Sequence, residues 1–562
     1  MIILGINYFF HDTSACIVKD GELIVALEEE RLTRQKHTYQ FPQNAIEKCL
    51  EVANLTYEDI DHIALSISPY KDLFKKLAYA VSLTTSAKPF IKHELWGIYA
   101  KQSTYNRWFN QHWKQVHKKP SVHFIEHHLS HVAGSYFVSP YEKAALLSID
   151  GSGEWSTAML GYASGSDIEI FSESHFPHSL GSFYEAVTQF CGFQPNYDEG
   201  KTMGLAPFGD PNPYFDAVNK LVSVTSEGKI QVDLSYFSYQ NQGHQRFNQK
   251  FIDTFGKPRG PKEPFETRHN DIAAAFQSVL EEKILQMCKI LEEKTSADYL
   301  VIAGGVALNS VVNGRIVRET RFKDVYVMPG AGDNGTCIGA AYYCYNKILG
   351  HSERVHHNSP YLGTEYSNEY IEALLKSAKV SYEKSNDVCS DTAKLLRDGN
   401  ILGWFQGRME IGPRSLGSRS IIADPSLPGM KDKINAEVKH REAYRPFAPS
   451  CPTEHKHKYF DITVDDPFML KVCNVLPEMR DRIPAITHVD GSARLQTVHE
   501  DTNPKYHKMI NEFGRLSGIP VILNTSFNIM GEPIVESPVH ALRCFFSTGL
   551  DKLIIGDYIV HK

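Results

Sequence analysis

Ala145-Leu146-Leu147-Ser148-Ile149-Asp150-Gly151-Ser152-Gly153-Glu154 reads as a buried strand running into a polar, glycine-rich turn, with Ser156 to Tyr162 as the returning strand. The same layout opens the chain. Residues 2 to 7 form an apolar strand, Phe10-His11-Asp12-Thr13 a polar turn, Ala15 to Val18 a second strand, and Asp20-Gly21 a hairpin turn into Leu23 to Leu27. Small polar residues in such turns can offer backbone N–H groups and hydroxyls to phosphate oxygens. Two such hairpins, each opening a segment of mixed strands and helices, predict two similar halves closing over a nucleotide. The competing reading is two ordinary hairpins with polar tips.

Between the hairpins lies Glu126-His127-His128-Leu129-Ser130-His131. In a helix, His127 and His131 stand one turn apart on one face, where two imidazoles can converge on a metal ion with Asp150 as a third ligand. Hydrogen-bonded core histidines are the alternative. His128 points about a hundred degrees away and is read as structural. Glu28-Glu29-Glu30 before Arg31 reads as a solvated helix start. Asp198 to Gly209, with Lys201 among its glycines, predicts a flexible loop able to approach an anion, or else a plain surface loop. Helical spacing from Ile272 to Leu291 leads into strand Tyr299 to Ala303, then Gly304-Gly305 and Asn309. Strand Val325 to Met328 leads into Gly332-Asp333-Asn334-Gly335, so Asp333 sits at a strand end, as a metal ligand, a phosphate contact or a helix cap.

The chain has 562 residues, a net charge of −7 and ten scattered cysteines without a CxxC pair. That length suits roughly two to four domains. The mild charge gives no reason to expect nucleic acid or an anionic membrane as a partner. An apolar start interrupted by His11-Asp12 predicts neither a signal peptide nor a membrane span, and the cysteine usage suits a cytoplasmic protein. The segment from about 44 to 120 reads as helices with aromatic faces, and that from about 211 to 265 as a polar insertion.

Taken together, His127, His131, Asp150, Gly304-Gly305 and Asp333 resemble the Kae1-like proteins of the actin, hexokinase and Hsp70 superfamily over roughly residues 1 to 345. The resemblance implies that His127, His131, Asp150 and Asp333 bind a metal, usually assigned as iron, that touches a bound nucleotide. A polar linker, residues 351–364, separates residues 1–350 from a second α/β unit, residues 365–562. There Gln406 to Ser420 carries three arginines, three glycines and three serines, followed by Lys439, Arg445, Arg494 and the strand-end run Asn524-Thr525-Ser526. Guanidinium forks beside Gly, Ser and Asn at element ends predict an anion pocket, with solvated surface as the default for any one of them. Gly407 to Pro425, Lys439 to Pro449 and Leu523 to Asn528 resemble the long signatures of the NodU/CmcH family of O-carbamoyltransferases, in which a Kae1-like domain precedes a YrdC-like domain. Met409 stands where that family more often has an aromatic.

This resemblance covers essentially the whole chain and implies a two-step reaction. In the YrdC-like domain, carbamoyl phosphate held by Arg414, Ser415, Lys439, Arg445, Arg494, Asn524 and Ser526 would lose phosphate and react with ATP, accompanied by Mg2+, to give carbamoyl-adenylate. The adenylate would then sit in the Kae1-like domain beside Fe2+ or another divalent metal, against Gly151, Ser152, Gly153, Glu154, Lys201, Gly304, Gly305, Asn309 and Asn334. His11 matches the family's general base, with Asp12 orienting it, and a small-molecule hydroxyl is the acceptor: an aminoglycoside, a nodulation-type sugar, a polyketide or another alcohol. Stretches 90 to 120 and 211 to 265 are the expected selectors of that acceptor. The rivals are threonylcarbamoyl transfer to tRNA, which calls for a basic face, and a non-catalytic nucleotide-binding protein, which predicts decayed signatures. A sugar kinase would leave residues 365 to 562 without a task.

Overall fold

A computed structural model describes residues 1–8, 10–83, 87–92, 97–114, 118–241 and 244–562. The chain forms two compact units, Met1–Val25 with His37–His356, and Ala26–Lys36 with His357–Lys562.

The first unit is built on two five-stranded sheets of one topology. Strands β1 (Ile2–Asn7), β2 (Ser14–Lys19), β3 (Glu22–Glu28), β4 (His62–Leu65) and β5 (Ser121–Phe124) lie in the order β3-β2-β1-β4-β5. Strands β6 (Lys143–Ile149), β7 (Ser156–Ser164) and β8 (Asp167–His175) are followed by a small hairpin of β9 (Val222–Val224) and β10 (Ile230–Val232). Then come β11 (Tyr299–Ala303) and β12 (Asp324–Val327), and the second sheet runs β12-β11-β6-β7-β8. In each sheet the first strand pairs antiparallel with the next and parallel with a strand reached by crossover: β1 with β2 and β4, β6 with β7 and β11. This is the expected pair of similar halves. Continuous apolar runs such as Ala144 to Leu147 are buried because crossover helices cover both faces of a parallel core.

Two helices position the ends of the central strands. Helix His127–Tyr136 follows β5, and helix Thr336–Tyr342 follows β12. They cross at Gly134 and Gly339, where a Cβ on Gly339 would lie 1.7 Å from the Ser130 carbonyl oxygen. Gly304, after β11, has φ +91, and a Cβ there would lie 2.2 Å from the Ile149 carbonyl oxygen. Both glycines are therefore close-approach positions that bring strand ends and helix starts together.

Residues 198 to 209 depart from expectation. They form a helix, Glu199–Leu205, and a 3-10 turn rather than a flexible loop. Leu205 and Thr202 are buried, and the Thr202 hydroxyl lies 3.0 Å from that of Thr188. Tertiary packing thus overrides the glycines. The 211 to 265 segment joins an aromatic cluster, with the Phe251 ring 5.4 Å from that of Phe190 and 5.8 Å from that of Phe276, tilted against both. Within the acceptor-selecting stretches, residues 93–96, 115–117 and 242–243 lie outside the described residues. Among the described residues, no helix is long and apolar enough to cross a membrane.

The second unit holds an eight-stranded mixed sheet. Its strands are β13 (Ser381–Lys384), β14 (Leu402–Phe405), β15 (Arg419–Ala423) and β16 (Ala448–Pro452). A three-stranded sheet of β17 (Phe460–Asp461), β18 (Val472–Val475) and β19 (Ser492–Arg494) follows. Strands β20 (Gln496–Val498), β21 (Ile522–Ser526), β22 (Lys552–Ile555) and β23 (Tyr558–His561) complete the larger one in the order β13-β23-β22-β14-β15-β21-β16-β20. Residues 28 to 31, expected to be a solvated helix start, are instead buried in this unit: Glu28 is 2% exposed and Arg31 3%. Arg31 Nη2 lies 3.2 Å from Glu28 and donates to the Gly412 carbonyl at 2.7 Å, while the Gly412 N–H donates to Glu28 at 2.8 Å. Paired charges with satisfied hydrogen bonds can be buried where solvated ones were expected.

Candidate functional site

In the first unit, His127, His131, Asp150 and Asp333 converge, with one donor atom from each within 4.8 Å of the others. The two Nε2 atoms are 3.0 Å apart. His131 Nε2 is 2.9 Å from Asp150 Oδ2 and 3.4 Å from Asp333 Oδ1, and His127 Nε2 is 3.4 Å from the same Asp333 oxygen. Nitrogen ligands at about 2.0–2.1 Å from a tetrahedral ion stand about 3.3 Å apart, so the set fits one divalent ion, and two imidazoles with two carboxylates suit zinc, iron or manganese. Burial favours neutral imidazole at His127, but Asp333 and Asp150 outweigh it and lift the group to about 10. Conversely, burial would raise Asp333, and His127 and His11 hold it down at about 2. His128, read as structural, is buried with Nδ1 2.8 Å from the Ser148 hydroxyl, and burial together with His127 pushes it down to about 3.

His11 stands beside this cluster, its Nε2 3.9 Å from Asp333 Oδ2 and its Nδ1 2.8 Å from Asp12 Oδ2. The other Asp12 oxygen is 2.7 Å from His37 Nδ1. Asp12 adopts φ +54, a left-handed conformation uncommon outside glycine, and the Asn7 amide holds the turn by donating to the carbonyls of Asp12 at 3.1 Å and Asp333 at 2.9 Å. His37 has no spacing relation to His11 in the sequence; its only signal there was a histidine in a basic run.

The residues expected to meet a nucleotide divide. Gly151 N–H donates to Asp150 Oδ1 at 2.6 Å and Gly305 N–H to Asp150 Oδ2 at 3.1 Å, so both glycine segments frame the metal-type cluster, with Ser152 and Gly153 in the same turn. Asn334 follows Asp333 in a buried 3-10 turn. Glu154 is occupied otherwise: it accepts from the N–H of His127 at 3.1 Å and of Ser68 at 2.5 Å, which seats the start of the histidine helix. Asn309 caps the helix that begins at Ser310 and pairs with Gln277. Lys201 is ion-paired to Asp198 at 3.0 Å and lies over the Phe193 ring.

In the second unit the three arginines of 406 to 420 take different places. Arg419 is fully buried and donates to the carbonyls of Gln406 at 2.9 Å, Gly407 at 3.1 Å and Thr364 at 3.1 Å. Arg408 donates to those of Gly363 and Leu362 at 3.1 and 2.9 Å. Both hold backbone. Arg414 remains, and among the described residues its buried Nε, the Nε of Arg494, the Ser415 hydroxyl and the Asn524 Oδ1 have no hydrogen-bond partner. Asn524 Nδ2 is fixed by Ser415, Ser450 and Gln496, each at 3.0 Å, so its free oxygen has a set direction. Arg441 and Arg445 join this cluster. Burial and then Arg445 push Arg414 down to about 10 and Arg441 to about 9, while burial and the other three arginines hold Arg494 well below its ordinary value. Arg441 was named in no expectation, although it stands two residues after Lys439. Lys439 itself is spent on the 526 to 528 turn, donating to Ser526 Oγ at 3.1 Å and Asn528 Oδ1 at 2.8 Å. Glu442 and Asp466 oppose part of this charge, and the donors left unpartnered have the character to receive an anion.

Family models described as carbamoyltransferase N-terminus and carbamoyltransferase C-terminus match residues 2–342 and 393–562. A Synechocystis protein, "Uncharacterized protein sll1178", is 38% identical over 100% of this chain and 96% of its own length. Nodulation protein NolNO of Sinorhizobium fredii is 35% identical over 99% of this chain and 80% of its own length. The 3'-hydroxymethylcephem-O-carbamoyltransferase of Amycolatopsis lactamdurans is 30% identical over 64% of each chain.

Proposed function

The chain belongs to the carbamoyltransferase family, and from that premise we propose that this transferase makes carbamoyl-adenylate from carbamoyl phosphate and ATP in its second unit and delivers the carbamoyl group to a small-molecule hydroxyl in its first. The observation that carries the reading is the cluster of Arg414, Arg441, Arg445 and Arg494, in which the unpartnered Nε donors of Arg414 and Arg494 call for an oxyanion. Water cleaves carbamoyl phosphate to carbamate and phosphate. A carbamate oxygen then displaces pyrophosphate from the α-phosphorus of ATP, which Mg2+ accompanies. The arginines stabilise charge on the phosphoryl oxygens in both steps. Asn524 Oδ1, an acceptor among donors, takes an N–H of the carbamoyl amine, while Ser415 and Ser526 line the same pocket and Lys439 holds its wall.

In the first unit His127, His131, Asp150 and Asp333 hold a divalent ion, with iron as the family's usual assignment. Such an ion supplies Lewis-acid charge that fixes and polarises the bound adenylate. The glycines of Gly151 to Gly153 and Gly304-Gly305, their N–H groups held by Asp150, Ser156 and Ala331, carry no side chain to bar a nucleotide from the metal set, with Asn334 beside them; Glu154, Asn309 and Lys201 support that floor from the helices they hold. Asp12 fixes His11 through Nδ1, leaving Nε2 to take the proton of the acceptor hydroxyl as its oxygen attacks the carbamoyl carbon and AMP departs. Asp333 is a main cause of the raised affinity of His11 for a proton, so once a cation takes up the Asp333 charge the imidazole is freer to act as a base.

The test is direct. Protein incubated with carbamoyl phosphate, ATP, Mg2+ and ferrous iron under reducing conditions should release pyrophosphate without any acceptor. No release from folded wild-type protein sinks the first step. His11→Ala should keep the release and lose carbamoylation of an acceptor alcohol; unchanged carbamoylation would remove His11 as the base.

A further inference from the structure

A second set of metal-type side chains lies in the first unit, at the opposite end of β4. His62 opens β4, His123 lies in β5, and Cys344 lies in the π-helical turn Tyr343–Ile348 that continues helix Thr336–Tyr342. One donor atom from each lies within 4.8 Å of the others. His62 Nδ1 and His123 Nε2 are 3.1 Å apart, close to the ~3.3 Å separation of two nitrogens on one tetrahedral zinc.

Register explains why these three meet. Gly5, Ala64 and His123 are paired across β1, β4 and β5, as are Ile3, His62 and Ser121 two places earlier, so His62 and His123 share the sheet face of Gly5. That face is covered by helix Thr336–Tyr342, since a Cβ on Gly5 would lie 2.2 Å from the Cys337 carbonyl oxygen. Cys344 stands two helical turns beyond Cys337, back over the same face. Its thiol is fully buried, whereas both imidazoles are partly exposed, so sulfur comes from inside and nitrogen from the rim. Burial lowers the proton affinity of His62 and His123, which keeps their lone pairs available. Short π-helical turns, which widen a helix locally, are frequent where a side chain is re-aimed for a task.

We propose that His62, His123 and Cys344 form a second metal site, for zinc, with its fourth position open to water. Two neutral imidazoles and a thiolate are a zinc donor set, and binding releases the thiol proton to solvent. The site would fasten β5, the edge of its sheet, and the start of β4 to the helix whose other end follows Asp333.

Cobalt discriminates this site from the first, because a thiolate-to-cobalt charge-transfer band requires sulfur and the four ligands near Asp333 include none. Metal-stripped full-length protein titrated with Co2+ should develop that band to one equivalent and lose it on addition of Zn2+. Cys344→Ser should abolish the band, and His62→Ala or His123→Ala, checked for folding by circular dichroism, should weaken Co2+ binding at least tenfold. Zinc should also raise the melting temperature of a His131→Ala protein but not of a protein carrying both His131→Ala and Cys344→Ser. No band in folded wild-type protein, a band that survives Cys344→Ser, or one indifferent to both histidine changes would overturn the site and leave a simple histidine–histidine hydrogen bond.

Discussion

The two charged centres of this molecule are built on opposite plans. Near Asp333, two histidines face two aspartates, and each sign raises the charge on the other: His127 is held protonated and Asp333 ionised, both against the pull of burial. Near Arg494 four arginines gather: burial and Arg445 lower the proton affinity of Arg414 and Arg441, and burial with all three lowers that of Arg494. The first cluster is self-neutralising and keeps its shape by its own attractions. The second stores repulsion, which in the proposed reaction an incoming anion relieves. A preorganised cage suits a resident ion, and a repulsive one suits a ligand that must arrive, react and leave.

The sharpest way to break this contrast is a pair of substitutions read in two assays. Arg494→Ala should lower pyrophosphate release about 10³-fold, the scale of a lost transition-state charge contact, whereas His131→Ala should leave release within a few-fold and abolish carbamoyl transfer. Equal losses in both assays would mean the centres are not separable. Next in size, His131→Ala should weaken divalent-metal binding by at least about 10²-fold, measured as metal retained after dialysis against a chelator.

A third expectation concerns pH. Burial pushes the Asp466 carboxyl up to about 6, although it accepts from the N–H groups of Leu470 and Lys471 at 2.8 and 2.6 Å. An unfolded aspartate loses its proton near 3.9, so between roughly pH 4 and 6 the folded state binds more protons than the unfolded one. Stability of the second unit should therefore fall as pH rises across that window, by on the order of 2 kcal/mol, and then level off; Asp466→Asn should flatten the profile in denaturant titrations. The smallest effect is the most telling. Without anions, Arg494→Met should be more stable than wild type by about 1 kcal/mol, because a poorly compensated buried cation is gone, and millimolar sulfate should stabilise wild type but not the variant. A variant less stable than wild type without anions would remove the idea of stored repulsion.

How much of this could be read in the chain depends on how local each cause is. The repeated hairpin, the helix from His127 and the strand before Gly304-Gly305 follow from patterns a few residues long, and the four metal-type side chains came from such patterns. His37 was invisible because it meets His11 through the Asp12 carboxylate, a contact set by how the turn folds back. Residues 198 to 209 were misread as a loop because glycine content describes the backbone alone, while Leu205 and Thr202 are buried by distant elements. In the arginine-rich run, composition raised the expectation of an anion pocket, but which guanidinium keeps an unpartnered donor depends on where the carbonyls of Thr364 and Gly363 fall. Glu28 to Arg31 failed for the same reason, since their partner backbone lies at Gly412.

That last contact sets a clock. Arg31 and Gly412 are 381 residues apart in the chain, so at synthesis rates of about 5–20 residues per second the segment Ala26–Lys36 waits roughly 20–80 s for the strands it will join. Through that interval Glu28 and Arg31 hang from a half-made protein as solvated, protease-accessible chain. The second unit is therefore assembled from pieces whose synthesis is separated by nearly the whole of the first.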